Sequence, residues 1–276
     1  MRRVPAAELE AWLALALAVC DEADSLARDG FRRDLRVSTK SDRSLVTEVD
    51  EAIEAHIRGR IGAAYPGHGL LGEEYGQEAG AGTTRWYVDP IDATHNFVRG
   101  VPVFATLLAA EHDGELQLGV ISAPALGERW FAWRGGGAWA IRTDGRASAT
   151  RTDGQADRRR LTVSSVARIE EASLAYSSPG AVEPLAPGFR ALLRDAWRDR
   201  GFGDFWGYAL LAEGAVDAMV EVGIHSWDLA APTIVVEEAG GRVTDFAGKR
   251  AFSGPTVVAS NGTLHDLLLG RLGESD

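Results

Sequence analysis

Apolar positions recur at helical spacing in the first part of the chain. The segment 5–29 carries a broad apolar face and predicts a long first helix. A second helix is predicted over 50–61, where Ile53 and Ile57 fall on one face. The residues between them, 37–44, are mostly polar and predict a loop.

Strand patterns follow these two helices. A short buried strand is predicted at 86–88, and the alternation over 103–139, interrupted by Gly-containing turns, predicts an antiparallel meander. After Leu161 the pattern changes to alternating strands and helices, which is typical of an α/β arrangement. The predicted strands are 161–164, 172–177, 215–221, 242–246 and 256–260, and the predicted helices are 187–199, 206–213, 227–239 and 262–271.

This change of pattern predicts two parts of mixed α+β and α/β class. Residues 1–155 form an N-terminal α+β subdomain with the antiparallel sheet, and residues 156–276 form a C-terminal α/β subdomain. The junction falls in 142–160, which contains six arginines and has no apolar period. We interpret that segment as a solvated loop; a patch that binds anionic ligands is the alternative.

Composition narrows the functional classes. The net charge of −11 argues against a nucleic-acid-binding surface, which needs a basic patch. The single cysteine, Cys20, excludes an internal disulfide and suggests a reducing compartment.

The apolar stretch 12–20 follows two glutamates and is too short to cross a bilayer. We therefore expect a cytoplasmic protein with no membrane partner. His56, His112 and His265 are predicted to lie at the surface.

The segment 89–95, Asp-Pro-Ile-Asp-Ala-Thr-His, carries the clearest chemical signal. Asp89 and Asp92, with the Ile91 carbonyl between them, can face one cavity and offer the oxygen ligands that Mg²⁺ prefers. Residues 93–95 are predicted to open a short helix, whose free N–H groups would bind phosphate oxygens. A capped loop without ligands is the alternative interpretation.

Other acids also lie where predicted elements begin or end. Glu73 follows residues 70–72, which are predicted to end a strand. Asp50 opens the second helix, and Asp228 opens the helix 227–239. Each of them alone could be a helix cap or an ordinary surface acid. Together they would repel one another unless a cation bound them, so the pattern predicts Mg²⁺-dependent phosphate chemistry.

Three motifs resemble the inositol monophosphatase family of lithium-sensitive, Mg²⁺-dependent phosphomonoesterases. They are Gly72-Glu73-Glu74, the run 86–94, and Trp227-Asp-Leu-Ala-Ala231 with Glu238-Ala-Gly-Gly241, in the family's order over nearly the whole chain. The resemblance implies a layered αβαβα sandwich of the inositol monophosphatase/fructose-1,6-bisphosphatase type. It also implies a homodimer acting on a small phosphorylated metabolite, with two or three Mg²⁺ per site, Mn²⁺ as a substitute and Li⁺ as an inhibitor.

The resemblance also implies roles for individual residues. Asp50 and Thr94 would orient and activate the attacking water, and Glu73 would take part in catalysis as well as in metal binding. Lys40 lies in a loop similar to the family's mobile metal-site loop. The metal ligands implied are Glu73, Asp89, the Ile91 carbonyl, Asp92 and Asp228.

Within the family, the runs 96–102, 120–125, 203–208 and 212–217 resemble the histidinol-phosphate phosphatases of histidine biosynthesis. Asp204 would then contact a cationic or hydrogen-bonding substrate head, although a helix cap is its alternative role. The substrate-binding residues implied are Ala93, Thr94, His95, Asn96, Arg99, Asp204 and Glu221.

Three features keep other functions open. The run 221–227 is more similar to the inositol-phosphatase version, in which the glutamate binds a hydroxyl, so an inositol-1-phosphate or broader sugar-phosphate phosphatase is the alternative. Ala93 replaces the family's usual glycine, which is unfavourable if that position has a positive φ. His95 replaces the usual lysine or threonine. A catalytically silent metal- or phosphate-binding relative is the third possibility.

Overall fold

The computed structural model describes residues 4–40, 44–143 and 158–274. The α-helices in these ranges are α1 Ala6–Gly30, α2 Glu48–Ala64, α3 Thr94–Val98, α4 Pro179–Val182, α5 Phe189–Asp195, α6 Asp204–Ala212, α7 Ser226–Glu238 and α8 His265–Gly273. A 3₁₀ turn spans Ile169–Glu171.

The first strands belong to a two-stranded ribbon, β1 Val37–Thr39 and β2 Leu45–Thr47, and to a large sheet. The strands of the large sheet are β3 Gly69–Gly72, β4 Gly76–Glu78, β5 Thr84–Asp92, β6 Ala105–His112, β7 Glu115–Ala123, β8 Glu128–Trp133, β9 Gly137–Arg142 and β10 Arg159–Arg160. Their spatial order is β10-β9-β8-β7-β6-β5-β3-β4. Only β3 and β5 pair in parallel among these described strands, so the predicted antiparallel meander is confirmed.

A second sheet follows in the chain. Its strands are β11 Ser173–Tyr176, β12 Arg198–Arg200, β13 Ala218–Ile224, β14 Arg242–Thr244 and β15 Gly254–Ser260, in the order β12-β11-β13-β15-β14. Strand β11 is parallel to both of its neighbours, whereas β15 is antiparallel to both of its own.

Three apolar clusters show how the layers stack. In the first, α1 and α2 cover one face of the large sheet, with Trp12 and Ile53 among the fully buried side chains. In the second, α6 and α7 fill the space between the two sheets. In the third, α4, α5 and α8 cover the outer face of the five-stranded sheet. The order helix, sheet, helix, sheet, helix confirms the predicted αβαβα sandwich.

Two predicted elements in the second half are wrong. Residues 161–164 form no strand, because the Leu161 N–H bonds to the Ala138 carbonyl whereas the Val163 N–H bonds to the Ala239 carbonyl, so no single ladder forms. The predicted helix 187–199 ends at Asp195, and residues 198–200 pair with β11 instead.

Two smaller expectations also differ from the structure. The polar loop 37–44 contains the strand β1, which pairs with β2. His265 is fully buried, not at the surface. It is the first residue of α8, and its ring forms hydrogen bonds with Thr244 and Ser260.

Part of the predicted junction lies outside the described residues. Of the segment 142–160, residues 144–157 are not described, and the expected boundary between residues 155 and 156 falls among them. The division into two subdomains therefore stays a prediction. No helix in the described ranges is long and apolar enough to cross a membrane.

Candidate functional site

Three acids from two distant parts of the chain meet at one point. Carboxylate oxygens of Asp89, Asp92 and Asp228 lie within 4.8 Å of one another. Asp89 and Asp92 stand at the end of β5, where the pairing with β6 shifts register between them, a bulge that re-aims side chains. Asp228 is in the first turn of α7, where its Oδ2 accepts the His225 N–H at 2.8 Å.

The electrostatics of this cluster fit a divalent cation. Burial, followed by repulsion from Glu73 and Asp92, raises the pKa of Asp89 well above its ordinary value. Burial and the nearby carboxylates of Asp204 and Asp228 do the same to the pKa of Asp92. Asp89 Oδ1 is buried and has no hydrogen-bond partner among the described residues. An oxygen-seeking cation such as Mg²⁺ would satisfy that atom and remove the repulsion.

Glu73 lies beside this cluster and is paired with a lysine. Its N–H donates to the Val88 carbonyl at 3.2 Å, which continues the β3–β5 pairing one residue further. Lys40 Nζ lies 2.8 Å from Glu73 Oε1 and 2.8 Å from Glu74 Oε1. Burial lowers the pKa of Lys40, but its bonds to the two glutamates outweigh this and raise it. Lys40 therefore places a positive charge at the edge of the acidic cluster.

Asp50 and Thr94 form a second pair inside the same region. Thr94 Oγ1 donates to the Ile91 carbonyl at 2.9 Å and lies 3.4 Å from Asp50 Oδ1. Asp50 Oδ2 accepts the Thr47 N–H at 2.9 Å in a capping box that starts α2. Burial raises the pKa of Asp50 to about 6, against the lowering effect of the Thr47 bonds. A carboxylate with that pKa suits a general base near neutral pH.

The turn after β5 adopts a left-handed conformation. Ala93 has φ 65° and ψ 46° and precedes α3 as its N-cap residue. The N–H groups of the first helical turn lack partners within the helix, so those of Thr94 and His95 are available to an anion. His95 is exposed, as is Arg99, whereas the Asn96 side chain donates to the Val103 carbonyl at 2.8 Å.

A cavity of about 170 Å³ adjoins the acidic cluster. Glu221 Oε2 accepts the Tyr208 hydroxyl at 2.8 Å inside it, and burial raises the pKa of Glu221 to about 8. None of the described residues that line the cavity is a lysine or an arginine. The lining residues are Asp92, Asp204, Phe205, Tyr208, Glu221, Ile224 and Asp228.

Asp204 belongs to this cavity and is not the cap of α6. Gly203 holds the N-cap position, and Asp204 is the first helical residue, with φ 56°. The next N–H, from Phe205, donates to Asp92 Oδ2 at 2.6 Å and so ties α6 to the acidic cluster. Burial, then repulsion from Asp228, raises the pKa of Asp204, and His95 opposes that shift.

Tyr208 and Glu54 lie in this region, although the sequence had suggested no individual role for either residue. Tyr208 follows Asp204 by four positions on α6, a helical spacing that could have indicated a shared face. Glu54 has the same spacing from Asp50 on α2. The 238–241 motif, in contrast, has a structural role, since the Glu238 carboxylate accepts the N–H groups of Gly135 and Gly137 at 2.9 Å each.

Comparisons with known proteins agree with this geometry. The model of the inositol monophosphatase family matches residues 8–276. A histidinol-phosphatase of Mycobacterium tuberculosis is 49% identical over 263 residues, which cover 94% of this chain and 97% of that protein. A histidinol-phosphatase of Streptomyces coelicolor is 44% identical, covering 95% of this chain and 97% of that protein.

Solved structures show the same architecture. An IMPase of Thermotoga maritima superposes with a TM-score of 0.80 at 32% identity, covering 94% of this chain and 96% of that one. The suhB protein of Bartonella henselae gives a TM-score of 0.83 at 31% identity, covering 96% of this chain and all of that one. The chain belongs to the inositol monophosphatase family and is a phosphoric monoester hydrolase.

Proposed function

We propose that this chain is a Mg²⁺-dependent histidinol-phosphate phosphatase that acts in histidine biosynthesis. The observation that carries the proposal is Asp204, an extra carboxylate in the cavity beside the metal-binding acids. A neutral polyol gains little from this carboxylate, whereas histidinol phosphate carries an ammonium group that can form a charge-assisted hydrogen bond with it. The relatives that share 49% and 44% of its residues bear the corresponding name.

The metal ligands in this proposal are the acids of the cluster and one backbone carbonyl. Bound Mg²⁺, or Mn²⁺ in its place, would lower the pKa of a water molecule and neutralise the phosphate. Two or three ions per site are proposed, with Li⁺ as an inhibitor. The residues that hold them are Glu73, Asp89, Ile91 through its carbonyl, Asp92 and Asp228, with Lys40 at the edge.

Protein groups complete the reaction. The Thr94 hydroxyl aims the attacking water, and Asp50 receives the proton, either directly or through Thr94. The backbone N–H groups of residues 93–95 hold the phosphate oxygens and stabilise the charge that develops on them. Because water is the nucleophile at phosphorus, no covalent phosphoenzyme forms, and another water molecule protonates the leaving alkoxide.

Substrate recognition falls to the cavity and its rim. Asp204 pairs with the cationic head, and Glu221 accepts a hydrogen bond while Tyr208 holds it in place. His95, Asn96 and Arg99 shape the rim around the phosphate.

One feature favours an inositol phosphate as the second candidate. The raised pKa of Glu221, about 8, makes its neutral form common at neutral pH, and a neutral glutamic acid beside a tyrosine suits a substrate hydroxyl.

Assembly and location complete the proposal. We infer a homodimer of two-subdomain chains, 1–155 with most metal ligands and 156–276 with the substrate residues. A cytoplasmic location is supported by Cys20, which is free and buried.

Hydrolysis of L-histidinol phosphate and myo-inositol 1-phosphate, each with Mg²⁺ and with EDTA, tests the function. We expect a higher kcat/KM for histidinol phosphate and no turnover with EDTA. Asp204→Asn should lower kcat/KM for histidinol phosphate by about 10- to 100-fold, the equivalent of one charge-assisted hydrogen bond, and leave inositol phosphate hydrolysis nearly unchanged.

Asp92→Asn supplies the inactive control, with a circular dichroism spectrum like that of the wild type. A preference for inositol phosphate would favour the second candidate. Metal binding without hydrolysis of either ester would identify a silent relative.

A further inference from the structure

The hairpin turn that carries Glu73 closes around a buried carboxylate. Gly72 of β3 pairs with Gly76 of β4, so the residues 73–75 form the turn between them. The N–H of Glu74 donates to Glu54 Oε2 at 2.7 Å, and the N–H of Tyr75 donates to Glu54 Oε1 at 3.1 Å.

Glu54 reaches this turn from α2, and its side chain is fully buried. Arg58, one helical turn later, donates its Nε–H to Glu54 Oε1 at 2.8 Å and also bonds the Gly76 carbonyl. The buried carboxylate therefore has three hydrogen-bond partners, which offset the cost of removing it from water.

The same contact explains the glycine of the Gly72-Glu73-Glu74 motif. A Cβ on Gly72 would overlap the Glu54 carboxylate, which lies directly against this residue. Any larger residue at position 72 would move Glu54 away from the turn. Because the Glu73 N–H is bound to the Val88 carbonyl, all three N–H groups of the turn are fixed.

We propose that Glu54 is a positioning residue for metal binding, which acts by holding the turn that carries Glu73 and Glu74. Glu54 does not ligate the metal in this inference; it fixes the backbone from which Glu73 reaches the cluster and Glu74 reaches Lys40. Outer residues that orient metal ligands commonly change metal affinity by about 10- to 100-fold when they are replaced. The inference rests on the proposed metal-dependent function.

Glu54→Gln tests the inference in the full-length protein. An amide has one acceptor oxygen, so its NH₂ group must face either the Glu74 N–H or both the Tyr75 N–H and Arg58. The turn therefore loses one hydrogen bond in either orientation. Mn²⁺ affinity is measured by electron paramagnetic resonance without substrate, together with the circular dichroism spectrum and the Mg²⁺ concentration that half-activates hydrolysis. We expect affinity to fall by about 10- to 100-fold, with a wild-type spectrum and a kcat at saturating Mg²⁺ close to that of the wild type.

Glu51→Gln is the matched control, since it makes the same change on an exposed position of α2 and should leave Mn²⁺ affinity unchanged. If Glu54→Gln does not fold, Mn²⁺ affinity is measured on Glu54→Asp instead. This variant keeps a carboxylate near Arg58, but its side chain is one methylene too short to reach both turn N–H groups. A folded Glu54 variant with wild-type Mn²⁺ affinity overturns the inference alone. A wild-type protein that binds no Mn²⁺ overturns the metal site itself.

Discussion

Ala93 occupies a backbone conformation that glycine adopts more easily. Its φ of 65° and ψ of 46° lie in the left-handed region, where the Cβ of an L-residue approaches the following carbonyl oxygen. The conformation is held from both sides, by Asp92 at the end of β5 and by α3, whose Asn96 N–H donates to the Ala93 carbonyl at 2.8 Å. The strain is therefore retained in the folded protein.

Replacing Ala93 by glycine should stabilise the protein. Left-handed strain costs an alanine about 1–2 kcal/mol. Removing this strain with glycine is offset by roughly 0.4–1 kcal/mol, because a glycine residue has more conformational freedom in the unfolded chain and loses it on folding. The net effect of Ala93→Gly is thus a gain of about 0.5–1 kcal/mol in the free energy of unfolding, or roughly 2 °C in melting temperature.

Thermal and urea unfolding of the metal-free protein measure this gain. Ala52→Gly is the matched control, because Ala52 is an exposed residue inside α2 and the same substitution there should cost about 1 kcal/mol. The two variants should therefore shift stability in opposite directions. A loss of stability in Ala93→Gly equal to that in Ala52→Gly would refute the assignment of backbone strain at this site.

Two further predictions concern buried groups away from the site. Burial, followed by the charge of Arg242, lowers the pKa of His265 from 6.5 to about 4. Between these pH values His265 is therefore protonated in the unfolded chain but neutral in the folded protein. Stability should fall as the pH drops from 6.5 to 4, by about 3 kcal/mol in total from this group, and urea unfolding of His265→Gln should show a shallower pH slope. Arg129 is buried against Asp24 at 2.8 Å, so Arg129→Met should cost roughly 3–5 kcal/mol by leaving that carboxylate unpaired.

Each of these two predictions can be refuted by a specific measurement. Equal pH slopes for the wild type and His265→Gln would show that the histidine does not resist protonation in the fold. For the ion pair, Asp24→Leu combined with Arg129→Met should recover most of the lost stability, since no unpaired buried charge remains. A double variant no more stable than Arg129→Met would contradict that account.

The hydrogen bonds of His265 also favour its neutral form, in agreement with its lowered pKa. The Thr244 hydroxyl donates to the Asp245 carbonyl at 2.7 Å, so it can only accept from His265 Nε2. His265 Nδ1 is then the acceptor of the Ser260 hydroxyl, at 2.8 Å. Protonation at Nδ1 would place two donors face to face.

Patterns within short stretches were enough to predict most of the architecture. The helical period of 5–29 and the alternation of 103–139 each report burial on one face, and the structure confirms both elements as α1 and β6–β9. The family was also predictable, because its motifs are contiguous runs of residues around Glu73, Asp89 and Asp228. The site roles assigned to those residues stay predictions.

Other features depend on contacts between residues far apart in the chain, and no local pattern encodes them. The burial of His265 requires the partners on β14 and β15, and the end of α5 before β12 depends on an edge pairing with β11. The positive φ at Ala93 comes from the bulged end of β5, and the place of Glu54 comes from a turn twenty residues later in the chain. The sequence alone therefore determined the family and the type of chemistry. Tertiary packing decided how the ligands are held, because side-chain positions at a site are set by the neighbours that the fold supplies.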